Sequence, residues 1–117
     1  MVASLFALKK MKPSENCSLV GILDDGWAGL SETARQRLAT ADLVIGAGRT
    51  LELVRAQLPA STTLRDMDGV LGQVPGWIVS ACAAGQRVVV LATGDPLCHG
   101  IASWLSGKLG PEACEIL

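Results

Sequence analysis

The residues best suited to bind a ligand stand at the end of an apolar run, Val88 to Ala92. The run ends in Thr93-Gly94-Asp95-Pro96, and a helical pattern follows. Open α/β sheets bind ligands at the carboxyl ends of their strands, where a glycine lets a ligand approach the backbone closely. A plain helix start explains the same residues equally well, with Asp95 as N-cap and Pro96 in the first turn. Local chemistry alone leaves both interpretations open.

A second candidate loop, Gly21-Ile22-Leu23-Asp24-Asp25-Gly26, follows an earlier β-rich run. It stands where the dinucleotide-binding pattern G-x-G-x-x-G would stand, and the middle glycine of that pattern admits a pyrophosphate. Here Leu23 takes that position and two carboxylates follow, so an anionic ligand would meet steric bulk and like charge. Arg49, after the next run, could instead accept the 2′-phosphate of NADP. An NADP-binding module therefore stays an alternative to a simple strand-to-helix turn.

Composition limits the classes of partner. Ten Lys and Arg residues against eleven Asp and Glu residues leave a formal net charge of −1, with no basic block to follow a phosphate backbone. One Phe, no Tyr and three Trp residues make a poor platform for stacking bases. We therefore expect no nucleic-acid partner. Half of the 117 residues are apolar, which suffices for the core of one small domain.

The four cysteines, Cys17, Cys82, Cys98 and Cys114, include no C-x-x-C pair. We expect all four to be reduced and buried, with neither a structural zinc site nor a disulfide framework. The single histidine, His99, could serve as a base, but a position in the first turn of a surface helix is the simpler interpretation. No catalytic residue is assigned.

Residues 1–16 are expected to be a flexible extension or an alternative start. The apolar stretch at their beginning is short, and the pair Lys9-Lys10 follows it instead of preceding it, unlike a signal peptide. Charges, Gly or Pro interrupt every later apolar run before it reaches the length of a membrane span. These features predict a soluble, cytoplasmic protein with no membrane partner.

From Cys17 onward, short β-rich runs alternate with helical patterns, which is typical of βαβ units. The strands are predicted at residues 19–23, 42–46, 62–65, 87–92 and 112–117. One helix is predicted to begin after Ser31 as N-cap, and another to end before Gly85 as C-cap. Two more are expected, at about 48–58 and from 96 or 100 to 109. The predicted fold class is α/β, a mainly parallel sheet of about five strands with helices on both faces.

Several short motifs keep an order and spacing that together resemble the tetrapyrrole (corrin/porphyrin) methylases. They are Val20-Gly21-Ile22, Asp25-Gly26, Gly29-Leu30-Ser31, Ala41-Asp42-Leu43-Val44-Ile45-Gly46 and Gly94-Asp95-Pro96-Leu97 with Gly100-Ile101. The resemblance runs from about Leu19 to the end of the chain. Within the family, the sequence is most similar to the decarboxylating precorrin-6Y methyltransferase branch of cobalamin biosynthesis.

The resemblance implies that residues 17–117 are the amino-terminal α/β domain of a two-domain methyltransferase whose second domain is absent. It implies S-adenosylmethionine as cofactor, in a cleft between the domains, with Gly94, Asp95, Pro96 and Leu97 forming one wall. The full enzyme would methylate a precorrin, and it is expected to be a homodimer. This fragment alone is expected to be inactive.

The resemblance also places the loop with Asp25 and Gly26 on the substrate side. Because a tetrapyrrole carries many carboxylate arms, cations are needed nearby, and Arg49 and Arg65 follow or end predicted strands. Leu23 departs from the family, which commonly has glycine there.

Two further alternatives stay open. One is another tetrapyrrole methylase, from an earlier precorrin step or from the siroheme pathway. The other is a non-catalytic assembly domain.

Overall fold

The computed structural model describes residues 16–23, 25–93, 95–110 and 114–117. Its strands are β1 (Cys17–Ile22), β2 (Leu43–Gly46), β3 (Thr63–Asp66), β4 (Val88–Thr93) and β5 (Glu115–Ile116). Its α-helices are α1 (Glu32–Ala39), α2 (Gly48–Glu52), α3 (Val74–Ala83) and α4 (Asp95–Leu109). Short 3-10 helices lie at Gly26–Gly29, Arg55–Gln57 and Leu71–Gln73.

The strands form one sheet in the order β3-β2-β4-β1-β5, and all its neighbours are parallel. Strand β4 is central, and its first five residues, 88 to 92, are buried. This explains its uninterrupted apolar run, because a strand covered on both faces has no polar side. The predicted α/β class is confirmed, although β5 contributes two residues and the other four strands carry most of the sheet.

Helices cover both faces of the sheet. The chain runs from β1 through β2 to β3 towards one edge, and from β3 through β4 to β5 towards the other. Because crossovers between parallel strands are right-handed, these two directions put their helices on opposite faces. Two buried clusters match this arrangement: Ala34, Leu38 and Leu51 pack under α1 and α2, and Ile78 and Leu105 pack under α3 and α4.

Local signals fixed the ends of two helices as predicted. Ser31 caps α1, since its Oγ accepts the Ala34 N–H at 3.1 Å. Gly85 follows α3 with a φ of 77°, in the left-handed region that favours glycine. Its N–H donates to the Cys82 carbonyl at 3.0 Å. Both predictions are confirmed.

The helix predicted at about 48–58 is broken in two. Helix α2 ends at Glu52, and a 3-10 turn at Arg55–Gln57 continues the path. The backbone switches to bonds between residues three apart, since Val54 N–H donates to the Leu51 carbonyl at 3.2 Å. Leu51 and Val54 are nevertheless both buried, so the predicted apolar face is formed without a continuous α-helix.

The prediction that all cysteines are reduced is wrong for two of them. Cys17 and Cys114 form a disulfide with their Cα atoms 4.6 Å apart. The parallel pairing of β1 with β5, in which Ser18 lies opposite Glu115, brings together two residues that are 97 positions apart. No spacing in the sequence signals this pairing. Cys82 is free and half-buried, and its burial raises the pKa of its thiol.

None of the described helices is long and apolar enough to cross a membrane. The extension predicted for residues 1–16 lies outside the described residues except for Asn16.

Candidate functional site

The carboxyl ends of the strands meet at one edge of the sheet, because all pairs are parallel. At that edge β2 and β4 are neighbours, and their connections leave in opposite directions, from β2 towards β3 and from β4 towards β5. Such a divergence opens a crevice, and ligands of open α/β sheets bind there. The loops after Gly46 and after Thr93 therefore flank the switch point of the sheet.

Small residues lie at this edge of the sheet. Gly46 is buried at the end of β2, and a Cβ there would lie 3.3 Å from Leu91 Cβ and 3.4 Å from Leu51 Cδ2. Ala47, Gly48 and Thr93 are half-buried. Gly46 therefore meets a packing requirement, since Leu91 and Leu51 occupy the space that a side chain would need, and the residues that follow it at this edge are small.

The predicted cofactor loop lies partly outside what the structure describes. Gly94 is not among the described residues, and Asp95, Pro96 and Leu97 are described by backbone alone, as the first residues of α4. Helix α4 thus begins at Asp95, one residue before the earlier of the two predicted starts. Their contact with a cofactor stays a prediction.

The loop after β1 leads into the 3-10 helix that contains Gly26. The Gly26 N–H donates to the Leu23 carbonyl at 2.8 Å, and Gly26 packs beneath Leu53, whose carbonyl oxygen would be 3.4 Å from a Cβ on Gly26. The side chain of Leu23 is 60% exposed, so a bulky apolar group stands beside this loop. Asp25 is exposed and lies over Gly29.

Two carboxylates at this edge were missed by the sequence reasoning. The Gly48 N–H donates to Asp68 Oδ2 at 3.1 Å, and the Asp68 N–H donates to Asp66 Oδ1 at 2.8 Å. The signal that could have found them is the turn Asp66-Met67-Asp68-Gly69 after a short strand. It becomes informative once β3 is known to lie beside β2. Together they hold the start of α2 and give the edge negative charge.

The two arginines predicted to bind substrate lie on opposite faces of the sheet. Arg49 is exposed in α2, at the carboxyl edge. Arg65 lies on the face covered by α3, with its guanidinium carbon 5.0 Å from the centre of the Trp77 ring. A role for either in substrate binding stays a prediction.

The opposite, amino-terminal edge carries the clearest ionic contact. Arg37 pairs with Glu115, and Ser18 Oγ donates to Glu115 Oε1 at 2.9 Å. The hydrogen bond from Arg37 lowers the pKa of Glu115, with burial opposing it, and raises the pKa of Arg37. These contacts fasten β5 to β1 and α1, which is a structural role. The described residues contain no cluster of three or more metal-ligating side chains.

Residues 16–117 match the model of one protein family, the Tetrapyrrole (Corrin/Porphyrin) Methylases. The chain belongs to the tetrapyrrole methylase family. This confirms the resemblance drawn from the motifs, and the match covers all the described residues.

Curated relatives in this family are precorrin-6Y C(5,15)-methyltransferases (decarboxylating). The protein from Sinorhizobium sp is 34% identical over 101 residues, which are 86% of this chain and 23% of that protein. The protein from Mycobacterium tuberculosis (strain CDC 1551 / Oshkosh) is 33% identical over 99 residues, 85% of this chain and 24% of that protein. The chain thus spans about a quarter of the length of these methylases.

Solved structures of tetrapyrrole methylases share the fold. A cobalt precorrin-4 methyltransferase superposes with a TM-score of 0.70 at 21% identity, covering 92% of this chain and 46% of the other. The uroporphyrin-III-C-methyltransferase from Thermus thermophilus gives a TM-score of 0.63 at 20% identity, covering 86% and 44%. In both cases the match takes up less than half of the longer methylase.

Proposed function

We propose that this chain is the amino-terminal α/β domain of an S-adenosylmethionine-dependent methyltransferase that methylates a precorrin, precorrin-6Y, in cobalamin biosynthesis. The observation that carries the proposal is the switch point between β2 and β4. The residues 93–97 that resemble the cofactor-binding segment of the family follow β4, one of the two strands at that switch point. The names of the relatives support the substrate.

The edge at β2 and β4 fits this cofactor in two respects. Residues 46–48 carry no large side chain at the end of β2, and Asp66 and Asp68 beside them favour a ligand with positive charge. S-adenosylmethionine supplies a methyl group that its sulfonium cation already activates. We assign its binding to Gly94, Asp95, Pro96 and Leu97.

Methyl transfer depends more on the alignment of the two reactants than on acid or base catalysis by side chains of the protein. An in-line displacement depends on holding the acceptor carbon and the methyl group in the right geometry. The rigid carboxyl edge of a five-stranded sheet provides one fixed wall for that purpose. This accounts for a site without an assigned catalytic side chain.

The substrate side is assigned to the rim formed by Asp25, Gly26 and Arg49. The exposed guanidinium of Arg49 can form a bidentate salt bridge with a carboxylate side chain of the macrocycle. Leu23, 60% exposed beside the same loop, offers an apolar contact to the flat ring. The exposed bulk of Leu23 also disfavours the alternative NADP module, whose pyrophosphate would need that space.

The proposal requires a second domain. The chain covers 23% and 24% of the relatives, so residues 17–117 supply half of a cleft, with residues 1–16 as an extension. We infer that the complete protein acts in the cytoplasm, as a homodimer, and that this part alone is inactive. Another tetrapyrrole methylase with a different precorrin is the second candidate, since relatives at 33–34% identity can differ in substrate.

A methyl-transfer assay on the complete protein tests the proposal. Transfer of the methyl group from S-adenosylmethionine is measured with a panel of precorrins, and precorrin-6Y is expected to be methylated fastest. Arg49→Gln should raise KM about tenfold with kcat nearly unchanged, because a charged hydrogen bond made equally in the ground and transition states is lost. Arg55→Gln, an exposed arginine outside the rim, is the matched control. Transfer to no precorrin would overturn the proposal, and preference for another precorrin would support the second candidate.

A further inference from the structure

A crevice of about 380 Å³ lies between edge strand β3 and helix α3. Its floor includes Leu43 and Thr63, the first residues of β2 and β3, and Gln86 in the turn before β4 closes one side. Leu43 and Thr63 stand at the amino-terminal ends of β2 and β3, and Arg65 is the third of the four residues of β3, so most of the crevice lies on the face under α3 and away from the carboxyl edge. It is therefore separate from the proposed methyl-transfer site.

The walls combine apolar and neutral polar groups. Buried Leu43 and Ala81 and half-buried Trp77 form the apolar part. Thr63, Ser80 and Gln86 add exposed hydroxyl and amide groups. Among the described residues, no carboxylate lines the crevice.

Arg65 is the one charged group in the lining. Its guanidinium carbon lies 5.0 Å from the centre of the Trp77 ring, within the range of a cation–π contact. The ion pairs among the described residues join Arg37 to Glu115 and Arg55 to Glu52. Within that part of the chain, Arg65 is therefore without a carboxylate partner.

We infer that this crevice binds a small carboxylate with a flat apolar body. A guanidinium whose ring contact leaves its N–H groups available matches the two oxygens of a carboxylate. The Trp77 ring and the apolar floor formed by Leu43 and Ala81 can pack against a planar apolar group of the ligand. The volume of the crevice is in the range of small-molecule binding sites. Because the described lining residues include no acidic group, the site favours an anion. This inference does not depend on methyl transfer.

NMR titration of the ¹⁵N-labelled 117-residue chain tests the inference, with benzoate as the probe and benzamide as its neutral counterpart. The indole N–H signal of Trp77, assigned by its loss in Trp77→Phe, reports on the crevice. Trp27, on the opposite face of the sheet, is the internal control. Arg65→Gln removes the charge, and Arg55→Gln is the matched arginine control.

Benzoate is expected to shift the Trp77 signal saturably and leave that of Trp27 unmoved. Arg65→Gln should weaken binding about tenfold, because it removes a charged hydrogen bond, and Arg55→Gln should not change it. Benzamide should bind at least tenfold more weakly than benzoate. An unmoved Trp77 signal, equal binding of benzamide, or unchanged affinity in a folded Arg65→Gln chain would each overturn the inference. The amide spectrum itself reports whether each variant is folded.

Discussion

Loss of the Cys17–Cys114 disulfide is predicted to lower the free energy of unfolding by about 2–4 kcal/mol. The two cysteines are 97 residues apart, so the disulfide closes nearly the whole described chain into a loop. In the chain-entropy account, closing a loop of this length lowers the entropy of the unfolded chain, which raises its free energy by about 4.7 kcal/mol at 25 °C. Measured effects are usually smaller, because unfolded chains keep residual structure.

The assay is urea unfolding of the oxidised chain and of Cys114→Ala, followed by circular dichroism. Cys114 is the better position to change, because Cys17 is fully buried and its truncation would add a cavity cost. Cys82→Ala keeps the disulfide and is the control for loss of a cysteine. A reducing agent should lower the stability of the wild type towards that of Cys114→Ala and leave that variant unchanged. Equal stability of wild type and Cys114→Ala without reductant would refute the reasoning.

Three further predictions concern stability and are checked by urea unfolding. Ser31→Ala should cost about 1 kcal/mol, because the cap on the Ala34 N–H is lost, and Ser31→Asp should restore most of it. Gly46→Ala should cost about 1–3 kcal/mol, because the new Cβ would press on buried Leu91 and Leu51; a neutral result would contradict the close packing of β2 on β4. The lowered pKa of Glu115 stabilises the fold above the ordinary carboxyl pKa, and this contribution is lost as pH falls through the folded pKa. Glu115→Gln should flatten that acid dependence by less than about 1 kcal/mol, since the pair is partly exposed.

The sequence predicted the elements of the fold because their signals are local. Ser31 and Gly85 mark helix ends through hydrogen bonds and backbone angles within a few residues of themselves. The apolar run within residues 42–46 is typical of a strand covered on both faces, and all four residues of β2 are buried.

The sequence did not predict the features that depend on sheet order. The strand order β3-β2-β4-β1-β5 is set by packing of whole elements. The Cys17–Cys114 disulfide and the carboxylates of Asp66 and Asp68 beside Gly48 all follow from that order. Arg65 was predicted to end a strand and is the third of the four residues of β3, and the face on which it lies becomes clear only when α3 is packed against β3.

The central claim is that the carboxyl edge at β2 and β4 holds S-adenosylmethionine through the loop at residues 93–97. Calorimetry of the complete protein with S-adenosylhomocysteine tests it most directly. Gly94→Val should weaken binding at least about tenfold, because a branched side chain blocks approach to the backbone. Gly107→Val, in the exposed part of α4 where a Cβ meets nothing within 4 Å, should leave the affinity unchanged. Unchanged affinity in a folded Gly94→Val protein would contradict the claim.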